Sequence, residues 1–203
     1  LTQVRVDPDD PAFRNPTKPI GPFYSKEEAE RKKLTLGWDI VEDSARGWRR
    51  VVPSPEPKEV FEQRIIRHLL DEGMIVIACG GGGIPVIEHP DHRVDGSEAV
   101  IDKDRASALL ASELDVDLFA ISTDARQVYV DFKRPTQRGL DHVTIDELQK
   151  LAGEGQFPPG SMGPKVESAI RFLRNGGKEV IITSFEHLND ALDGRDGTHI
   201  TAE

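Results

Sequence analysis

Lysines at the starts of two predicted helices are the residues in this sequence best suited to phosphate chemistry. Lys103 lies in the segment EAVIDKDRASALLASEL, where a helical pattern begins at about residue 104, and Lys165 lies at the start of a second pattern, GSMGPKVESAIRFL. A lysine in a first helical turn is repelled by the helix dipole, so a bound anion explains it better than the helix alone. Two solvated helix edges are the alternative. The pattern favours a phosphate shared by both lysines.

The residues beside these lysines fit the same chemistry. Asp102 precedes Lys103 and is suited to holding Mg²⁺, which takes few protein carboxylates in phosphoryl-transfer sites. Either Asp102 or Asp104 could instead be only the cap of the helix. At the second helix we expect Ser161 to be the cap, and Pro164 suits the first turn. Phosphoryl transfer needs positioning and charge neutralisation, and it does not require a protein nucleophile.

A glycine-rich loop, GGGGIPV, follows a predicted core strand over residues 74–78. Its glycines, Gly80, Gly81, Gly82 and Gly83, can adopt backbone angles closed to other residues and let a phosphate approach the amides. The loop matches neither the Walker nor the dinucleotide-binding pattern, so a tight turn is the alternative. The single cysteine, Cys79, excludes an internal disulfide framework and any multi-thiolate metal site.

Two further groups of cations lie upstream. Lys18 stands between two prolines in NPTKPIGPFY, which would present it from a stiff backbone, with an ordinary surface lysine as the alternative. The segment RGWRR, residues 46–50, could clamp a phosphate or pair with Glu42 and Asp43, and we favour the ion pairs.

The elements that must position these residues follow a break in composition near Pro57. Residues 1–57 are rich in proline, charge and aromatic residues, with one short helix over 26–33 that Ser25 caps and Glu28 supports in a capping box. Beyond Pro57, helical and strand patterns alternate, which predicts a mostly parallel sheet with helices on both faces. We expect helices over about 61–70, 104–114, 145–152, 163–175 and 186–192, and strands over about 74–78, 117–122, 127–131 and 179–183.

Charge and hydropathy exclude several functions. The 203 residues carry a formal net charge of -10, which opposes general attraction to nucleic acid or anionic lipid. No apolar run approaches the roughly 20 residues of a membrane span, and no signal-peptide pattern opens the sequence. We expect a cytoplasmic protein that acts on small molecules, with neither nucleic acid nor a membrane as partner.

Taken together, these segments resemble the carbamate kinases of the amino acid kinase superfamily. The motifs DPAFRNPTKPIGPFY, EDSARGWRRVVPSPEP, GGGGIPV, EAVIDKD and SMGPKV stand in that family's order along nearly the whole chain. The resemblance implies an α/β fold, a three-layer αβα sandwich with a mostly parallel central sheet and a small protruding lid, in a homodimer. It also implies magnesium-dependent phosphoryl transfer from carbamoyl phosphate to ADP, giving ATP and carbamate in arginine metabolism.

The same resemblance assigns roles to residues. Lys18, Lys103 and Lys165 match three phosphate-handling lysines, Asp102 matches an aspartate of the metal and nucleotide site, and the glycine loop adds amides. The adenine pocket would lie around 123–129 and 156–162, and the nucleotide-binding residues are expected to include Thr123, Asp124, Tyr129, Ser161, Met162 and Gly163. Residues 1–57 would form the end of an N-terminal half with the lid, and residues 58–203 the nucleotide-binding domain. Ala125 stands where the family pattern has valine.

Two segments of the family pattern, a GGNA loop and an HGNGPQ segment, do not occur in this sequence. We therefore expect the chain to lack the family's usual N-terminal segment, and with it strands of the same sheet. The alternative function is a non-catalytic or partner-dependent nucleotide-binding fragment of such a kinase. A kinase acting on acetylglutamate or aspartate is a third possibility, which the NPTKP and EDSARGWRR segments disfavour.

Overall fold

The computed structural model describes residues 1–43 and 46–203, and the chain divides into two compact units. The first unit comprises Leu1–Glu62 and Ile77–Asp102, and the second comprises Gln63–Val76 and Lys103–Glu203. The predicted division at Pro57 into a lid and a nucleotide-binding domain concerns function and remains a prediction.

The described residues of the first unit form two sheets and one α-helix. Its strands are β1 (Gln3–Val6), β2 (Lys18–Tyr24), β3 (Ile40–Glu42), β4 (Trp48–Val52), β5 (Pro57–Val60), β6 (Ile84–Glu88) and β7 (Val94–Gly96). A four-stranded sheet has the order β5-β1-β6-β7, with β1 and β6 parallel and the other pairs antiparallel. A three-stranded antiparallel sheet has the order β2-β4-β3. The best-buried side chains of the unit are Val4, Val6, Val60, Val86 and Ile101.

The helix of the first unit, α1 (Lys26–Leu36), confirms the predicted capping box. The Ser25 hydroxyl accepts from the Glu28 amide, and the Glu28 carboxylate accepts from the Ser25 amide. These bonds satisfy backbone donors that a helix start otherwise leaves unpaired. They also lower the pKa of the Glu28 carboxyl. The helix runs past the predicted end at Lys33 because its terminator is Gly37, which has a left-handed φ of 66°.

The second unit is a sheet with helices packed on it. Its elements are α2 (Gln63–Asp71), α3 (Lys103–Glu113), β8 (Leu118–Thr123), β9 (Val128–Val130), β10 (Arg138–Leu140), β11 (His142–Thr144), α4 (Ile145–Gly153), α5 (Met162–Arg174), β12 (Glu179–Ser184), α6 (Leu188–Leu192) and β13 (Thr198–Thr201). The sheet order is β11-β13-β12-β8, and β9 and β10 form a separate antiparallel pair. Strands β8 and β12 are parallel, as are β11 and β13, whereas β12 and β13 are antiparallel. The core contains Leu148, Val166, Phe172, Ile182 and Ile200, all nearly inaccessible.

The α/β class and most predicted elements are confirmed, with boundaries within about two residues, and the sheets are mixed in direction. The predicted strand over residues 74–78 is wrong. This segment forms no strand in the structure, and Ile75 and Ile77 are 97% and 96% exposed. A strand needs a hydrogen-bonded neighbour, and no strand among the described residues pairs with this segment. The apolar composition of residues 74–78 predicted a buried strand, whereas the structure exposes Ile75 and Ile77.

The helices of the described residues are all too short or too polar to cross a membrane.

Candidate functional site

The central feature of the second unit is Asp104, which binds both predicted phosphate-handling lysines of that unit. The Lys103 Nζ donates to Asp104 Oδ1 at 2.7 Å, and the Lys165 Nζ donates to Asp104 Oδ2 at 2.8 Å. The Asp104 side chain is 9% exposed and Lys165 12%, whereas Lys103 is 55% exposed. Two ammonium groups thus meet at one carboxylate, in a chain of net charge -10.

Two packed helices create this arrangement. Lys103 is the first residue of α3, and Lys165 lies in the first turn of α5, so both ammonium groups stand near the positive ends of helix dipoles. An ion pair from Arg105 to Glu167, at 2.8 Å, links the same two helices two residues beyond each lysine. Ser161 occupies the predicted N-cap position of α5, although its hydroxyl makes no capping hydrogen bond.

Asp104 is the functional candidate that sequence reasoning missed. From its position it was only one of two possible helix caps. The structure shows it instead inside the helix and buried, with 7% of its surface exposed. Buried carboxylates are uncommon unless they are paired. The signal in the sequence was therefore weak: an acidic residue on the inward face of a helix rich in alanine.

In the first unit, Lys18 pairs with Asp102. The Lys18 Nζ donates to Asp102 Oδ2 at 2.5 Å, and the Asp102 side chain is 9% exposed. Lys18 is the first residue of β2, and Asp102 follows the buried Ile101. The two predicted site residues of this unit are therefore brought together across 84 positions of sequence.

The glycine loop uses most of its own amides internally. The Gly80 amide donates to the Ala78 carbonyl at 2.7 Å, and those of Gly82 and Gly83 donate to the Cys79 carbonyl at 2.8 and 2.5 Å. Within the described residues, only Gly81 has a loop amide with no protein acceptor. A phosphate cradle made of all four amides would therefore require the loop to open, whereas Gly81 can donate as it stands.

Packing explains two of these glycines without any ligand. Gly82 has φ +129°, and a Cβ there would overlap the carbonyl oxygen of Ile101, the residue before Asp102. Gly83 has φ +85°, and its Cβ would overlap the Val4 side chain. Around Gly81, by contrast, no atom lies within 4 Å of an added Cβ, and its φ is not left-handed. Packing around a Cβ and backbone angle therefore do not explain the glycine at position 81, whose amide is free to donate.

Asp102 is the residue predicted to hold magnesium. No cluster of three or more histidine, cysteine, aspartate or glutamate side chains suited to a metal occurs among the described residues. Mg²⁺ in phosphoryl-transfer sites commonly takes one or two carboxylates and completes its shell with water and substrate phosphates. The Asp102 carboxylate fits that donor set, since oxygen is the ligand Mg²⁺ prefers, while Lys18 occupies one of its oxygens.

The predicted adenine-pocket residues lie in the second unit. Thr123 ends β8, Asp124 follows it, and Tyr129 lies on β9 with its ring 6.2 Å from that of Phe132. The Gln156 side chain accepts from the Asp131 amide at 2.8 Å, which ties the turn after β9 to the segment before α5. That segment carries Ser161, Met162 and Gly163 at the start of α5. Their role in nucleotide binding stays a prediction.

Two arginines of the segment 46–50 take one of the predicted roles, and the third makes a different contact. Arg46 and Arg49 both pair with Asp43, at 3.3 and 3.2 Å, which confirms the ion-pair interpretation for these residues. Ser44 and Ala45 of the same motif lie outside the described residues. Arg50 behaves differently, since its guanidinium lies over the Trp38 ring at 4.7 Å.

A polar cavity of about 410 Å³ also lies in the second unit, where Arg126 binds Asp196 through both carboxylate oxygens, at 2.8 and 2.9 Å. This hydrogen-bonded pair holds the pKa of the Asp196 carboxyl below its ordinary value and raises that of the Arg126 guanidinium. The bonds fasten the loop between β8 and β9 to the turn before β13.

Comparison with known proteins places these features in context. The amino acid kinase family matches residues 24–184. The carbamate kinase of Thermococcus kodakarensis is 48% identical over 203 residues, which is 100% of this chain and 64% of that protein. Carbamate kinase 3 of Staphylococcus aureus is 52% identical over 201 residues, which is 98% of this chain and 65% of that protein.

Solved structures agree with these sequence matches. A carbamate kinase from Giardia lamblia bound to AMP-PNP superposes with a TM-score of 0.86 at 45% identity, over 98% of this chain and 63% of that one. The same enzyme bound to citric acid gives a TM-score of 0.92 at 44% identity, over 99% and 63% of the two chains. The chain thus spans somewhat less than two thirds of the length of the proteins it resembles.

Proposed function

This chain belongs to the amino acid kinase family, and from that premise we propose that it serves carbamate kinase chemistry. A terminal phosphate oxygen of ADP attacks the phosphorus of carbamoyl phosphate, the bond from phosphorus to the carbamate oxygen breaks, and ATP and carbamate result. The reaction is reversible and requires no protein nucleophile. The observation that carries the proposal is the convergence of Lys103 and Lys165 on Asp104.

The second unit supplies charge neutralisation. Lys165 is nearly buried, and its bond to Asp104 fixes the ammonium group, so it is suited to contact the oxygens of the transferred phosphoryl group. Lys103 is more exposed and can swing from Asp104 towards an incoming phosphate at little energetic cost. Asp104 acts through both lysines, because it orients their ammonium groups before substrate binds.

The first unit supplies a further cation and one amide. Lys18 is held by Asp102, and the Gly81 amide has no protein acceptor among the described residues, so each has donor capacity for a phosphate oxygen. Asp102 would hold Mg²⁺, which when bound adds positive charge beside the phosphates. Of the predicted site residues, Thr123, Asp124, Tyr129 and Met162 are proposed to hold the nucleotide base. A cytoplasmic homodimer is proposed on the family resemblance alone.

The second candidate function is a nucleotide-binding module that lacks turnover by itself. It is favoured by the convergence of Lys103 and Lys165 on Asp104 within the second unit, an arrangement that suits phosphate binding with or without turnover. In that case ADP binds through the second unit and catalysis depends on residues supplied by another polypeptide.

Incubation of the purified chain with carbamoyl phosphate, ADP and Mg²⁺, with ATP formation as readout, tests the proposal. Lys165→Ala is the test variant, and Lys178→Ala is the matched control, because Lys178 is 76% exposed and paired with Asp117 on the surface. ADP binding is measured on all three proteins by calorimetry.

ATP formation that Lys165→Ala abolishes and Lys178→Ala retains supports the kinase. ADP binding that Lys165→Ala weakens, without ATP formation by any protein, supports the nucleotide-binding module. A folded chain that neither binds ADP nor makes ATP refutes both functions, and phosphorylation of acetylglutamate or aspartate instead refutes the choice of substrate.

A further inference from the structure

A cavity of about 480 Å³ in the first unit has properties that the kinase proposal does not use. Apolar side chains form its walls, among them Phe13, Ile20, Val52 and Val100. Its size falls in the range of about 300–1,000 Å³ that is typical of small-molecule sites. Three charged residues, Asp39, Arg50 and Glu98, also line it.

These charged residues are not paired with each other. Among the described residues, neither Arg50 nor the two carboxylates has an ion-pair partner within 4.0 Å, although opposite charges line the same cavity. The other two arginines of the same segment both pair with Asp43. Opposite charges that share a cavity without contact leave room for a ligand that carries both signs.

Arg50 is nevertheless held in place. Its guanidinium lies 4.7 Å from the centre of the Trp38 ring, and this ring also attracts Lys32 at 5.0 Å. This cation–π contact restrains the guanidinium, and among the described residues none of its N–H groups donates to a protein acceptor. An arginine oriented in this way is suited to binding a carboxylate through two parallel hydrogen bonds.

The strand register fixes where this arginine points. In the β2–β4 pair, Arg50 stands opposite Ile20 and Val52 stands opposite Lys18. Residues directly opposite, and residues two apart on one strand, share a face of the sheet. The Arg50 side chain therefore leaves the sheet on the face that carries the cavity walls Ile20 and Val52. Arg49, between Arg50 and Trp48 on β4, leaves on the other face.

We propose that this cavity binds a free amino acid with an apolar side chain. Its carboxylate is bound by Arg50, its ammonium group by Glu98 and Asp39 at the exposed mouth, and its side chain by the apolar walls. A phosphate dianion fits less well, because two carboxylates line the cavity against one arginine. Carbamoyl phosphate has no cationic group for the two carboxylates to bind, so the ligand is distinct from the substrate of the proposed kinase.

Calorimetric titration of the purified chain with L-phenylalanine and L-leucine, without nucleotide, tests the proposal. Phenylalanine amide and N-acetylphenylalanine, which lack one charge each, and inorganic phosphate are the comparison ligands. Arg50→Gln should weaken amino acid binding about tenfold to a hundredfold, since a hydrogen-bonded charge is lost. Arg49→Gln is the matched control and should bind as the wild type does.

Glu98→Gln provides a second, independent variant at an exposed position. It should weaken binding of the amino acid and leave binding of N-acetylphenylalanine unchanged. Because Glu98 is exposed, this variant should fold even if Arg50→Gln proves unstable. Binding weaker than about 10 mM for every amino acid, or equal binding of the amide, overturns the proposal. Inorganic phosphate that binds more tightly than any amino acid, and that Arg50→Gln weakens, also overturns it and identifies an anion site in this cavity instead. Because amino acid binding is measured without nucleotide, its failure would leave the proposed kinase reaction unaffected.

Discussion

Replacement of Asp104 by asparagine is the most informative single change. Asparagine keeps the shape of the side chain and one acceptor oxygen, so no cavity is created, but the negative charge between Lys103 and Lys165 disappears. The two ammonium groups would then repel each other next to helix starts that already disfavour positive charge.

The size of the effect follows from the exposure of each partner. The pair with Lys165 is nearly buried, and a hydrogen bond between charged groups there contributes about 1.5–3 kcal/mol. The pair with Lys103, which is 55% exposed, contributes about 0–1 kcal/mol because water screens it. We expect Asp104→Asn to cost about 2–4 kcal/mol in total, which lowers Tm by roughly 5–15 °C in a chain of this length.

Thermal unfolding followed by circular dichroism measures this cost. Glu167→Gln is the matched control, because Glu167 joins the same two helices through Arg105 but is 59% exposed, so its loss should cost at most about 1 kcal/mol. Lys103→Gln in the Asp104→Asn background should recover part of the stability, since it removes the repulsion. A Tm for Asp104→Asn within the range of the Glu167→Gln control would refute the bridging role of this carboxylate.

Three further changes test separate parts of the structure. Gly82→Ala should destabilise the protein by at least about 2 kcal/mol, because φ is +129° and the new methyl group overlaps the Ile101 carbonyl, as denaturant unfolding would show. Ser25→Ala removes a helix cap and should cost about 1 kcal/mol in the same assay. The pairing of Asp196 with Arg126 lowers the carboxyl pKa, so its stabilisation is present above the ordinary value of 3.8 and is lost as pH falls through the lowered pKa. The Tm difference between wild type and Asp196→Asn should therefore shrink only below pH 3.8.

Each of these three predictions has a control variant or a result that would contradict it. Gly96→Ala meets open space and should cost far less than Gly82→Ala, so equal losses would count against the packing explanation. An unchanged unfolding midpoint for Ser25→Ala would mean that the capping bonds contribute nothing in solution. Asp193→Asn, at a 60% exposed carboxylate, serves as the control for the pH series, and an identical pH profile for both variants would exclude a specific role for Asp196.

Local features of the sequence determined much of the fold. The capping box of α1, the helix starts at Lys103 and near Lys165, and the strands that became β8 and β12 follow from periodicity, capping residues and glycine stops. Each depends on residues within a few positions of one another, and such short-range preferences can be predicted without knowledge of the fold. Lys103 and Lys165 could be chosen as candidate phosphate-binding residues for the same reason.

Only the tertiary structure decided how these residues meet. The bond from Lys165 to Asp104 joins residues 61 positions apart, and that of Lys18 to Asp102 joins residues 84 apart. No local pattern encodes which carboxylate such a lysine finds, because the partner depends on how helices and strands pack. Burial likewise depends on neighbouring elements, which is why the apolar segment around Ile75 was wrongly predicted to be a core strand. For the same reason the sequence did not show that Arg50 contacts the Trp38 ring, whereas the other arginines of its segment pair with Asp43.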